Sequence, residues 1–219
     1  MEVRDIPIAR IPLFSGIDAE NAVGLFGCMN ACVECYQRND YIRSKQAGGP
    51  YVGIVLSGAA HMMKEDAWGH QFLIAHLGEG DILGESNALH AGGDACISFV
   101  AAQPSQILFL SIRHLLHPCK EQCPYHLTLA QNMFDLLLEK NARLTEHLEV
   151  LSKKSLRDKI LTYLSLQSQK QSSRYVTIPI NRTEMASYLQ SNRSAMTREL
   201  ASMKDEGLID YDGNTFTLL

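Results

Sequence analysis

The sequence predicts an α+β protein in three successive parts: a β-rich first half, one long helix, and a short helical unit closed by a hairpin. Three observations carry this. Between about residues 34 and 110, short runs rich in β-branched and aromatic residues alternate with glycines, as in antiparallel strands rolled into a closed sheet. Between 125 and 152, two mostly apolar series recur every seven residues, the mark of a helical seam. The charge also changes sign. Residues 1–150 carry 10 Lys/Arg against 17 Asp/Glu, a balance of -7, and residues 151–219 carry 10 against 7, a balance of +3, within a net charge of -4. Such a split points to parts with different partners.

The N-terminal MEVRDIPIARIP has acids among its first residues and no apolar core, so no secretory signal is expected. The longest apolar runs are too short to span a bilayer, and six cysteines in 219 residues do not make a disulfide scaffold. The strands are read at YVGIVLSG (51–58), HQFLIAHL (70–77), and ISFVA and QILFLSI between 97 and 112. No long helical pattern separates them, which disfavours a βαβ enzyme. In the long helix, one series is Leu127, Phe134, Asn141 and Leu148, and the other is Ala130, Leu137, Leu144 and Leu151. Together they form a seam for a parallel homodimer, with Asn141 fixing its register. The alternative is a helix packed on its own domain, which Met133, Leu136 and Leu138 favour by widening the apolar face. A helix can do both with different flanks.

The C-terminal part opens with a helix over 155–169 and a strand at RYVTIPI (174–180). NRTEMASYLQ follows, where Asn181 caps a helix and Glu184 completes a capping box. After a turn at 190–191, Asn192 caps a second helix reaching about residue 206. Met196, Leu200 and Met203 form its inner stripe, leaving Arg193, Ser194, Thr197 and Arg198 outside. Gly207 ends it, and a DGN turn at 212–214 makes a hairpin. Helix, turn, helix and hairpin make a winged helix-turn-helix, whose second helix enters the DNA major groove. Arginine there can bridge guanine O6 and N7, and Arg193, Ser194, Thr197, Arg198, Arg182 and Asn192 are the candidate DNA-binding residues. Arg182, Lys153, Lys154, Arg157 and Lys159 are candidates for phosphate contacts, whereas Asp210 and Asp212 make the wing a poor one.

Over nearly its whole length the sequence resembles the bacterial cyclic-AMP-receptor and fumarate–nitrate-regulator (Crp/Fnr) family. The matching segments are IPLFSGI (11–17), VLSG (55–58), GEGDILGE (78–85), the long helix and RTEMASYLQSNRSAMTRELASMKDEGLI (182–209). The resemblance implies a cyclic-nucleotide-binding-like jelly roll over 1–123, a dimerisation helix over 124–152 and a DNA-binding domain over 153–219. It also implies a cytoplasmic homodimeric transcription regulator on a near-palindromic duplex, with RNA polymerase as a further partner and no membrane. In nucleotide-binding members a Gly-Glu pair holds the ribose and a later Arg-Ser or Arg-Thr pair the cyclic phosphate. Here Gly84 and Glu85 remain, but the later pair is Ala95 and Cys96. Losing that cation disfavours cyclic AMP, and Glu85 then has a folding role. Haem, through His76, His114 or His117, an iron–sulphur cluster on Cys28, Cys32, Cys35, Cys96, Cys119 and Cys123, thiol redox sensing, and a small organic effector stay open. Cys32 and Cys35, on opposite faces of one strand, are poorly placed to share a metal, and no metal site is assigned. GxSxG, HExxH and nucleotide-loop motifs are absent, so the chain is read as a regulator rather than an enzyme. The alternatives are a cupin-like β-roll enzyme or a winged-helix interaction protein that does not bind DNA.

Overall fold

Short strands rich in β-branched and aromatic residues fold the first half into two sheets, the central strands Tyr51–Ser57 and Ser105–Ser111 being buried along most of their length. The structure is a computed structural model that describes residues 8, 11–44, 51–66, 68–85, 97–116 and 125–219. Among the described residues of this half the strands are β1 (Cys32–Tyr36), β2 (Tyr51–Ser57), β3 (Ala60–Glu65), β4 (Gln71–Leu77), β5 (Ile82–Leu83), β6 (Ile97–Ala101) and β7 (Ser105–Ser111). One sheet has the order β1-β7-β2-β5 and the other β4-β3-β6. In the first, Val52 opposes Leu110 and Ile54 opposes Leu108, and all four are fully buried. Their face packs with Leu13 and Phe14 of a 3-10 turn at Pro12–Phe14, with helix α1 (Ala19–Cys28), and with Leu129, Met133 and Leu136 of the long helix.

The VLSG motif earns its glycine. Gly58 has φ +87°, and a Cβ on it would lie 2.5 Å from the Pro104 carbonyl oxygen and 2.8 Å from Ser105 Cα. The buried Ser105 hydroxyl accepts the Ala59 N–H at 3.1 Å, so the turn between β2 and β3 is fixed from both sides.

A short helix α2 (Ile112–Leu116) precedes α3 (His126–Leu151), the predicted long helix. Asn132 ties it to the N-terminal lead-in by donating to the Leu13 and Ser15 carbonyls, both at 2.8 Å. Packing divides the chain into two compact units, 1–69 with 76–140 and 70–75 with 141–219. The helix therefore contributes to both rather than forming a part of its own.

In the second unit, α4 (Leu156–Gln171) is capped by Ser155, whose hydroxyl accepts the Asp158 N–H. Strands β8 (Tyr175–Thr177), β9 (Ile209–Asp212) and β10 (Thr215–Leu218) form a sheet in the order β8-β10-β9. The strand expected over 174–180 has only three residues. Ile178 N–H still donates to the Asn214 carbonyl at 3.0 Å, but Pro179 has no N–H to continue the ladder. Ile178 and Ile180 fill the core instead, beside Leu164, Met185, Met203 and Phe216. His147, from α3, lies buried in this unit. Its ring stacks on Tyr188 at 3.8 Å and 13°, and its Nε2 hydrogen bonds to the Tyr188 carbonyl at 2.8 Å. Burial lowers its pKa below the ordinary 6.5.

Two outcomes are expected in urea unfolding of the full chain. Gly58→Ala forces a left-handed backbone and a backbone clash together, and lowers the unfolding free energy by about 2 kcal/mol or more. Because the unfolded chain takes up the His147 proton first, the stability due to neutral His147 is complete above 6.5 and falls as pH drops below it toward the lower folded value. The slope for one proton is at most about 1.4 kcal/mol per pH unit, and His147→Gln removes that component.

Candidate nucleic-acid interface and effector site

Local hydrogen bonding defines both ends of the helix pair α5 (Arg182–Tyr188) and α6 (Arg193–Asp205). The Asn181 side chain accepts the Thr183 and Glu184 N–H groups at 2.9 and 3.1 Å, while Glu184 accepts the Asn181 N–H at 2.8 Å. This is the predicted capping box. Gln190 turns the chain with φ +51°. Asn192 accepts the Ala195 N–H at 2.7 Å and so starts α6. At the far end Gly207 has φ +72°, its N–H reaches the Lys204 carbonyl, and the Leu208 N–H reaches the Met203 carbonyl, both at 3.0 Å. This is a Schellman ending.

Between these caps α6 has two unlike faces. Met196, Leu200 and Met203 are at most 2% exposed. Arg193, Ser194, Thr197 and Arg198 are all exposed. Thr197 donates back to the Arg193 carbonyl at 2.9 Å, and Arg198 Nε reaches the Ser194 carbonyl at 3.4 Å. The guanidinium ends of both arginines therefore sit on an open helical surface.

The other basic residues are differently placed. Arg157 of α4 donates through Nε to Glu199 at 2.6 Å and through Nη1 and Nη2 to the two oxygens of Glu206, each at 2.7 Å. These bonds to Glu206 and Glu199 hold the guanidinium charged and lower the Glu206 pKa. Arg157 thus clamps the C-terminal half of α6. Arg182 lies over the Phe216 ring at 4.4 Å and the Tyr211 ring at 4.8 Å, and donates to the Gly213 carbonyl at 2.8 Å. It braces the β9–β10 wing, so its guanidinium is engaged where the sequence suggested a phosphate contact. Lys204 pairs with Asp210 of the wing at 2.5 Å, and Lys159 donates to the Leu189 carbonyl at 3.3 Å.

In the first unit Gly84 takes φ +81°, a conformation glycine adopts without strain, and Glu85 follows it. Glu85 meets a lysine of α3. Lys140 Nζ donates to Glu85 Oε1 at 2.5 Å and to the Ile82 carbonyl at 3.1 Å, and lies 5.8 Å from the Phe99 ring centre. The side chains are 8% and 15% exposed. Glu85 thus has its counter-charge on a residue 55 positions away in the chain. Sequence reasoning passed over Lys140, although it falls on the inner row Leu129, Met133, Leu136, Lys140. A lone cation in an apolar row was the available signal. Ala95, Cys96, His90, His117, Cys119 and Cys123 lie outside the described residues.

Comparison with known proteins addresses both regions. The family model for the cyclic nucleotide-binding domain matches residues 33–122, and that for the Crp-like helix-turn-helix domain matches 158–219. The chain belongs to the Crp/Fnr family of transcription regulators. Among solved structures it is similar to the CLP protein of Xanthomonas campestris, described as a c-di-GMP responsive global regulator, with 15% identity over 92% of this chain and 99% of that one and a TM-score of 0.70. It is also similar to a CooA mutant from Carboxydothermus hydrogenoformans, with 18% identity over 89% and 85% and a TM-score of 0.67. A Crp/Fnr regulator from Eubacterium rectale gives 16% over 96% and 94%, with a TM-score of 0.61. At these identities the likeness is one of fold. No curated protein matches significantly.

For this Crp/Fnr chain the remaining effector candidates are placed as follows. Cys28 and Cys32 are half-buried and Cys35 is exposed. Burial, and then the charge of Glu34, push the Cys32 thiol pKa up, away from the reactive thiolate. His61 and His76 pack with ring centres 5.4 Å apart. His114 Nδ1 bonds to Ser111 Oγ at 2.9 Å. Among the described residues no three His, Cys, Asp or Glu side chains gather as metal ligands, and no helix is long and apolar enough to cross a membrane.

Proposed function

We propose that this Crp/Fnr regulator acts as a homodimer that places α6 in the major groove of a near-palindromic duplex. The observation that carries the reading is the two-faced α6: a buried methionine–leucine stripe and a C-terminal half clamped by Arg157 leave Arg193, Ser194, Thr197 and Arg198 facing outward. Arg193 and Arg198 are assigned to guanine edges and phosphates, and Ser194 and Thr197 to nearby polar contacts. Asn192 caps the helix beside them, and Arg182 supports the wing. The protein is read as a cytoplasmic regulator without catalytic activity, with RNA polymerase as a further partner.

The dimer reading is supported by the outer row of α3. Leu127, Phe134 and Leu148 are 69%, 60% and 67% exposed in the single chain. Leu137 and Asn141 are exposed with them, and Leu144 and Leu151 are partly covered. A second copy in parallel register buries this row. A signal taken up by the roll then shifts the DNA-binding units. Cyclic AMP is not that signal, because Glu85 is already paired with Lys140 and the family's phosphate-binding arginine is replaced at Ala95.

Fluorescence anisotropy with a duplex selected by this protein tests the DNA reading. Arg193→Ala and Arg198→Ala each weaken binding about 5- to 100-fold and flatten its salt dependence, and added cyclic AMP leaves the wild-type isotherm unchanged. Wild-type affinity and salt slope in both variants overturn it. In sedimentation at micromolar concentration the wild type runs as a dimer, and Phe134→Lys with Leu148→Lys runs as a monomer. A monomeric wild type removes the seam.

A further inference from the structure

We propose that the Glu85–Lys140 ion pair is a latch through which the roll sets the state of the DNA-binding unit, with Lys140 as the positioning residue. The inference rests on the regulator reading above and adds the contact that transmits its control.

The first argument is position. Leu129, Met133, Leu136, Lys140, His147 and Val150 follow one row along α3, and four of them are apolar. A leucine or methionine at 140 would continue the packing, and replacing a buried ion pair by apolar side chains is often neutral or stabilising. Stability alone therefore does not call for a lysine here. What a buried pair adds is a unique partner and a discrete contact that is made or broken.

The second argument is what the ammonium touches. Its two bonds go to the Ile82 carbonyl and the Glu85 carboxylate, on either side of Gly84. The left-handed backbone at Gly84 directs Glu85 toward the helix. Any rearrangement of residues 82–85 in the roll is thus felt at Lys140.

The third argument is that the pair is incompletely satisfied. Glu85 Oε2 is buried and has no hydrogen-bond partner among the described residues. A pair serving only to hold the fold gains most when every lone pair is matched, whereas one held through a single oxygen is easier to open. Finally, Lys140 is the last helical residue of the first unit and Asn141 the first of the second. One continuous hydrogen-bonded helix joins the latch to the DNA-binding unit.

The test uses the full chain, with Glu85→Gln, Lys140→Met and the charge swap Glu85→Lys/Lys140→Glu. Duplex affinity is measured by anisotropy, and hydrogen exchange by mass spectrometry in peptides covering 153–219, far from the substitutions in sequence. Both single variants are expected to shift affinity at least fivefold in the same direction and to change exchange in those peptides, and the swap to return both to within twofold of wild type. The latch is overturned if a folded single variant leaves both readouts unchanged, or if the swap restores neither. It is also overturned if both single variants unfold while the swap folds, since the pair is then only a folding contact. If the wild type binds no duplex, the regulator reading falls, and exchange alone decides the latch.

Discussion

The seven-residue repeat of α3 constrains what can pack around it. Residues seven apart return to nearly the same side of a helix, so each side chain of Leu127 to Leu151 is committed to the inside or the outside. Leu129, Met133 and Leu136 close the core of the first unit, and Val150 belongs to the core of the second. With those positions buried, Leu127, Phe134, Asn141 and Leu148 must lie on the open side. The helix is thus a boundary between intramolecular packing and whatever covers its outer row. Its 26 residues span about 39 Å at 1.5 Å per residue.

Charge follows a similar division of labour. The second unit carries an excess of basic residues, but several are matched internally. Arg157 is shared between Glu199 and Glu206, Lys204 pairs with Asp210, Lys170 pairs with Glu146, and Arg182 is stacked against the wing. Pairing within the unit weakens its attraction for a nonspecific polyanion, and Arg193 and Arg198 lie outside these pairs. In the first unit the same logic is applied to the buried pair of Glu85 and Lys140.

What was legible in the sequence was local. The capping box at Asn181 and Glu184 spans three residues, the α6 stripe recurs at four and seven, and the strands announce themselves by composition between glycines. Each is decided by neighbours along the chain, so the elements and the outward face of α6 could be read directly. The contacts that pattern could not supply join distant residues: Glu85 to Lys140 across 55 positions, Arg157 to Glu199 and Glu206 across 42 and 49, and Arg182 to the Gly213 carbonyl across 31. A charged side chain shows its type in the sequence but not its partner. For that reason Arg182 and Arg157 read as free cations, and Lys140 passed unnoticed. The shortened β8 was foreshadowed by Pro179, whose missing N–H ends the ladder.

The Arg157 clamp has a further consequence for how α6 meets a duplex. Its bonds to Glu199, Ser202 and Glu206 fix the helix to α4 over its last two turns, and the Schellman ending fixes the exit into the wing. If α6 reads DNA as proposed, a helix held in this way over its last two turns leaves more of the adjustment to the nucleic acid. Sites rich in pliable pyrimidine–purine steps deform at low cost, while stiff A-tracts resist. Sequence preference then extends to base pairs that no side chain touches, through the bending stiffness of the duplex itself.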